Sequence, residues 1–149
     1  MKVMLVFPPT TVYGDDPSVP PVVQPLGLAY LGAYLEQNGH EVNIIDGRGS
    51  REDITHTPTY SRFGIPDEEI LRQVEIFDPE VLGISNMYTA YSGDPHRIAE
   101  LIKRKKPDLK IIFGGSHPSE FPELVMKDNN VDMVVKGEGE VTFTELLDK

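Results

Sequence analysis

Four short stretches hold the residue types from which a binding site is made: Pro8-Pro9-Thr10-Thr11, Ser85-Asn86-Met87-Tyr88-Thr89, Gly114-Gly115-Ser116-His117 and Gly137-Glu138-Gly139-Glu140. The adjacent glycines follow the apolar run Ile111-Ile112-Phe113. With no Cβ in the way, a ligand can come against the main chain there. The pattern is one of binding, since no nucleophile–base pair accompanies it and no catalytic residue is assigned.

Several chemistries are absent from the sequence. There is no cysteine, so disulfides, zinc–thiolate sites, iron–sulfur clusters and cysteine nucleophiles have no ligands in this chain. The histidines are His40, His56, His96 and His117, and no pair has the helical spacing of a metal site. Only His117 sits among the candidate stretches; His40, after Asn38-Gly39, reads as a surface residue. No GxGxxG follows the first strand, where Pro8-Pro9 removes amide donors that a phosphate needs, and no GxxxxGK[ST] occurs. Asp46 ends a strand as a ribose-binding acid would, but without the glycine loop. Glu138 and Glu140, at the start of the last helix, complement its dipole or serve as acid–base groups. Tyr30 and Tyr34 have the spacing of packing residues, and Tyr88 and Tyr91 are placed to face the ligand.

The elements that must position these stretches alternate between short apolar runs and helical patterns. Strands are expected at Lys2–Phe7, Glu41–Asp46, Glu80–Ser85, Leu109–Phe113 and Val131–Val135. Helices are expected from Leu26 to a cap at Asn38-Gly39, from Pro66 to Phe77, from Pro95 to Lys106, from Pro118 to Asn129 and from Val141 to Asp148. A Pro-rich loop spans Pro8 to Pro25 with Gly14, Asp15 and Asp16 at its centre, and Gly47 to Ile65 reads as an irregular polar excursion. Strands joined through helices pair in parallel by right-handed crossovers, giving an open doubly wound α/β sheet. The order is flavodoxin-like, 2-1-3-4-5, in preference to a half-Rossmann arrangement. In such a sheet ligands bind beyond the carboxyl ends of the strands, where all four stretches fall.

The chain has 149 residues, 39% hydrophobic and 26% charged, and reads as a single globular domain over 1–149. A formal charge of −10 argues against nucleic acid. The basic run Lys103-Arg104-Lys105-Lys106 closes a helix, where cations suit the dipole. No apolar run is long enough to span a bilayer and the start is too short for a signal peptide, so a cytoplasmic location with no membrane partner is the expectation.

Four longer stretches carry a resemblance: QPLGLAYLGAYLEQNGHEVNIID at 24–46, VLGISNMYT at 81–89, IIFGGSHPSEFPE at 111–123 and VVKGEGEVTFTELL at 134–147. In this order and spacing the chain resembles the amino-terminal cobalamin-binding domain of B12-dependent radical SAM enzymes. That group includes methyltransferases and the anaerobic magnesium-protoporphyrin monomethyl ester cyclase. The resemblance implies a flavodoxin-like domain holding cobalamin with its nucleotide tail inserted beside the sheet. It implies cofactor contacts at Pro9, Thr10, Ser85, Asn86, Met87, Gly114, Gly115, Ser116, His117, Gly137, Glu138 and Gly139. Ser85 matches the serine that faces the lower ligand, and Gly137 and Gly139 match the segment flanking the tail.

Two departures qualify it. Methionine-synthase-type domains carry DxHxxG after the first strand, whose histidine ligates cobalt; here that loop is Phe7-Pro8-Pro9-Thr10-Thr11-Val12-Tyr13-Gly14. The radical SAM branch commonly lacks the histidine, which implies base-off cobalamin with no protein ligand. The family's CxxxCxxC, for a [4Fe–4S] cluster and S-adenosylmethionine, has no counterpart in this chain. The expectation is therefore a fragment that a radical SAM domain follows, not catalytic alone. The rival on the same fold is a receiver-type regulatory or interaction domain. It needs an aspartate ending the third strand, where Ser85 stands, and acids closer to the first strand than Asp15 and Asp16.

Overall fold

The computed structural model describes residues 1–14, 23–49 and 53–149. Asp15 and Asp16 lie outside them, as do residues 50–52 of the excursion. The strands are β1 Lys2–Phe7, β2 Thr10–Tyr13, β3 Glu41–Asp46, β4 Ile54–His56, β5 Tyr60–Phe63, β6 Val81–Ser85, β7 Lys110–Gly114 and β8 Met133–Val134. The helices are α1 Leu26–Gln37, α2 Asp67–Phe77, α3 Gly93–Lys105, α4 Ser116–Glu120, α5 Pro122–Val125 and α6 Gly139–Leu147, with a 3₁₀ turn at Thr89–Tyr91.

The main sheet has the order β3-β1-β6-β7-β8 and every pair in it is parallel. In chain order of the five expected strands this is 2-1-3-4-5, the flavodoxin-like arrangement. Side chains alternate across it. Met4, Val6, Leu82, Ile84, Ile111 and Phe113 pack with Ile70, Val74, Ile98 and Ile102 of α2 and α3. Val3, Leu5, Val81 and Ile112 face the other way, toward Leu35 and Phe143 of α1 and α6. Leu5 is in register with Gly83, Gly83 with Ile112, and Ser85 with Gly114. On β6 and β7 the side chains of this second face thus shrink toward the carboxyl ends, from Val81 to Gly83 and Ser85 and from Ile112 to Gly114, which opens space between the sheet and the α1–α6 layer.

The excursion expected to be irregular folds. Ile54–His56 and Tyr60–Phe63 form a hairpin whose inner strand pairs antiparallel with Thr10–Tyr13, so a second sheet of order β2-β5-β4 covers part of the expected Pro-rich loop. Pro9 seats the crossing between the two sheets: a Cβ on Gly47 would meet Phe7 O at 2.4 Å and Pro9 Cδ at 2.9 Å, and one on Gly64 would meet Gly47 O at 2.0 Å. The sheet is pinned to α3 by Asp94, whose carboxylate accepts from Thr11 N and Thr11 Oγ1, both at 2.7 Å, and from Arg97 at 3.0 Å. Asp67 in turn accepts from Arg62 and Arg97.

Other differences are local. The expected helix from Pro118 to Asn129 is two short helices, α4 and α5, and the fifth strand is only two residues long. His40 is buried, with both ring nitrogens unpartnered, because the α1 cap turns it inward; its N–H donates to Leu35 O. Tyr30, expected to pack, is 71% exposed. The basic run is spent in ion pairs: Lys103 with Asp132, Arg104 with Glu100, Lys105 with Glu75 and Lys106 with Asp78. Among the described residues no helix is long and apolar enough to cross a membrane.

Candidate functional site

A cavity of about 700 Å³ opens at the carboxyl ends of β1, β6 and β7, between the sheet and the α1–α6 layer. The burial of its lining residues orders them by depth. Leu5, Ile112, Val135 and Phe143 line it and are at most 4% exposed, so they form the deep end. Leu28 and Leu31 of α1 add to the apolar side. Ser116 and Glu138 are exposed and stand at the mouth, with Met87 and Tyr88 on the rim. Size and polarity match a ligand site with an apolar body and a few polar groups.

Four lining glycines leave their missing side chains as open space. A Cβ on Gly27 or Gly137 would meet nothing within 4 Å, one on Gly139 only Val135 Cγ1 at 3.8 Å, and one on Gly114 only Val135 O at 4.0 Å. The wall is therefore a cradle that side chains would fill.

Gly115 is different. Its φ of +112° disfavours any Cβ, and one placed there would stand 2.9 Å from Asn86 O and 3.2 Å from Met87 Sδ. The expected slot at the Gly114-Gly115 pair is thus open at Gly114 and filled by the protein's own backbone at Gly115. The physical reason is a backbone crossing: Asn86 N donates to Gly114 O at 2.8 Å, and His117 N donates to Asn86 O at 3.1 Å.

Of the residues singled out in the sequence, Ser85, Met87, Gly114, Gly115, Ser116, Gly137, Glu138 and Gly139 line the cavity. Pro9, Thr10, Asn86 and His117 do not. Pro9 serves the sheet crossing, and buried Thr10 accepts a hydrogen bond from Arg48 at 2.9 Å. Asn86 is 1% exposed, and its side-chain amide makes no hydrogen bond. His117, expected in a loop, lies in α4 and is 4% exposed; its Nδ1 is hydrogen-bonded to Thr89 Oγ1 at 3.0 Å, and its ring packs on Phe121. Burial, assisted by the nearby His96, pushes the His117 pKa below its ordinary value. Ser119 ties the mouth together: its hydroxyl donates to Gly115 O at 2.8 Å and accepts from Gly137 N at 2.9 Å.

The deep wall was missed by reasoning from sequence. Its signals were Gly83 inside an otherwise apolar strand and a first helix, LGLAYLGAYLEQ, with apolar residues on every side. Among the described residues no group of acids and histidines is arranged to hold a metal ion.

Residues 17–147 match the B12 binding domain family. The chain belongs to that family. This B12-binding domain is 34% identical over 95% of its length to the cytidylyl-2-hydroxyethylphosphonate methyltransferase of Streptomyces wedmorensis, covering 27% of that protein. It is 28% identical over 99% of its length to the anaerobic magnesium-protoporphyrin IX monomethyl ester cyclase of a Synechocystis species, again covering 27%. The chain therefore spans little more than a quarter of the curated relatives it matches. Among solved structures, a cobalamin-binding protein from Desulfitobacterium hafniense superposes with a TM-score of 0.65 at 17% identity, over 99% of this chain and 57% of that one. A response regulator of Thermotoga maritima superposes with a TM-score of 0.56 at 14% identity, over 99% of this chain and 96% of that one. Both likenesses show the fold alone. Membership in the B12-binding family rests on the sequence match.

Proposed function

We propose that this B12-binding domain holds cobalamin base-off, with the nucleotide tail lodged between the sheet and the α1–α6 layer. It does so as the cofactor-binding part of a B12-dependent radical SAM methyltransferase or oxidative cyclase. The observation that carries the reading is the cavity at the strand tips, with open Cβ directions at Gly27, Gly114, Gly137 and Gly139. A thin, elongated ligand fits a cradle of that kind, and the family match names the ligand class.

Cobalamin, when bound, supplies a cobalt centre that takes up and hands on methyl groups. The domain's own residues bind and orient. Ser85 and Gly114 flank the tail near the strand tips; Gly137 and Gly139 flank it from the α6 side. Ser116 and the Glu138 carboxylate, at the mouth, accept from amide N–H groups on a corrin rim. Met87 and Tyr88 offer apolar surface to the ring. Pro9, Thr10, Asn86 and His117 act behind that surface by fixing the loops, and Gly115, on the wall itself, lets the chain cross Asn86. The loop after β1 has no histidine that could serve as a cobalt ligand.

A radical SAM domain carrying a [4Fe–4S] cluster and S-adenosylmethionine is the expected partner, as part of the same longer protein. The chain described has no cysteine to hold such a cluster, and catalysis is not expected of it alone. A cytoplasmic location goes with this reading. The receiver alternative shares the fold, but β6 ends in Ser85 rather than in an aspartate.

The test is direct. Hydroxocobalamin mixed with the purified chain at tens of micromolar is expected to co-elute and to shift its visible spectrum to the base-off form. An unchanged spectrum without co-elution overturns the proposal.

A further inference from the structure

The deep end of the cavity carries almost no hydrogen-bonding capacity. Leu5, Ile112, Val135 and Phe143 close it, and Leu28 and Leu31 form the helix side. The buried polar side chain on this wall is Ser85, 8% exposed. The main chains of β6 and β7 are already paired with each other behind it, from Val81–Lys110 to Ser85–Gly114. The Ser119 hydroxyl spends its proton on Gly115 O and accepts from Gly137 N.

A planar group that enters this space must therefore be apolar along most of its edge. We infer that the domain selects among corrinoids by their lower base, favouring a benzimidazole over a purine. The inference rests on the cobalamin reading given above. A dimethylbenzimidazole presents two methyl groups and a single free ring nitrogen, which one hydroxyl can satisfy. An adenine presents an exocyclic amino group and further ring nitrogens. Ser85 can serve one of these and Val135 O, 4.0 Å from the open Cβ position of Gly114, can accept from the amino group; the rest would be buried against Leu, Ile, Val and Phe side chains without partners. Each polar group stranded in that way lowers affinity by about tenfold or more.

The experiment compares three compounds on the wild-type chain by equilibrium dialysis: aquocobalamin, its adenine-based counterpart, and cobinamide, which has no nucleotide. Aquocobalamin is expected to bind at least about tenfold more tightly than the adenine compound. Equal affinities for the two, or tighter binding of the adenine compound, overturn the inference and leave the cobalamin reading intact. Equal affinity for all three also overturns it, since the tail would then lie outside the cavity. Binding of none of the three overturns the cobalamin reading itself, and the selectivity with it.

Discussion

Gly137 N–H donates to Ser119 Oγ at 2.9 Å, and the same hydroxyl donates to Gly115 O at 2.8 Å. One side chain thus joins the loop after β7 to the loop after β8 across the mouth of the cavity. Both glycines are at positive φ, +112° and +69°, so each loop uses a conformation that its neighbours alone do not enforce.

Ser119→Ala removes this tie without opening the core. A net hydrogen bond is worth about 0.5–1.5 kcal/mol, so two together set a modest scale. We expect a several-fold loss of cobalamin affinity with little change in Tm, read by titration and thermal melting of the same samples. An unchanged affinity would mean that the mouth is held by other contacts.

The glycine pair separates ligand space from protein space. Gly114→Val adds a side chain into the open cradle, in a strand conformation that tolerates it. We expect a stable protein with at least about tenfold weaker cobalamin binding. Gly115→Ala instead drives a Cβ toward Asn86 O, 2.9 Å away, at a φ that L-residues avoid. About 2 kcal/mol or more of stability should be lost, measured by urea unfolding. A Gly115→Ala chain as stable as wild type would show that the crossing with Asn86 can relax.

The main sheet was legible in the sequence because its strands are continuous apolar runs, each separated by a helix with start and stop signals. β1, β3 and α2 fall within a residue of their expected bounds. The second sheet was not legible. Thr10–Tyr13 and Tyr60–Phe63 are four residues each, far apart in the chain, and their pairing is set by Asp94 and by the crossing at Pro9, Gly47 and Gly64. At the site, glycines could be found but not assigned. Sequence alone does not say whether a missing Cβ makes room for a ligand, as at Gly114, or for the chain itself, as at Gly115.

His117 gives a pH signature. Burial disfavours its imidazolium, so folding lowers its pKa below the ordinary 6.5. As pH falls, the unfolded chain takes up this proton before the folded one does. Stability therefore declines as pH drops through the unfolded value and levels off below the folded value. His96 packs on Phe113 and pairs with Asp128 at 2.6 Å close by, so the signature is read as a difference between two proteins. His117→Gln keeps a donor for Thr89 and removes the titration. We expect its stability, by urea unfolding from about pH 7.5 to about pH 5, to fall less steeply than that of wild type. Parallel curves would place the proton elsewhere.

Asp94 makes the sharpest structural test, because its carboxylate, 5% exposed, joins β2 to α3 through two hydrogen bonds from Thr11 and accepts a third from Arg97 of its own helix. Burial raises its pKa, and the Thr11 hydrogen bonds and the Arg62 charge oppose that. Asp94→Ala leaves Thr11 N–H without its acceptor and Arg97 with Asp67 as its remaining carboxylate partner. Removing one member of such a buried cluster costs about 3–5 kcal/mol, a large part of the stability of a domain of this size. The loss should be local first. Amide exchange is expected to quicken across Thr10–Tyr13 and Tyr60–Phe63, while β1, β6 and β7 keep their protection. Uniformly faster exchange over both sheets would instead make the small sheet part of one cooperative unit with the large one, with Asp94 supporting the whole fold rather than its attachment.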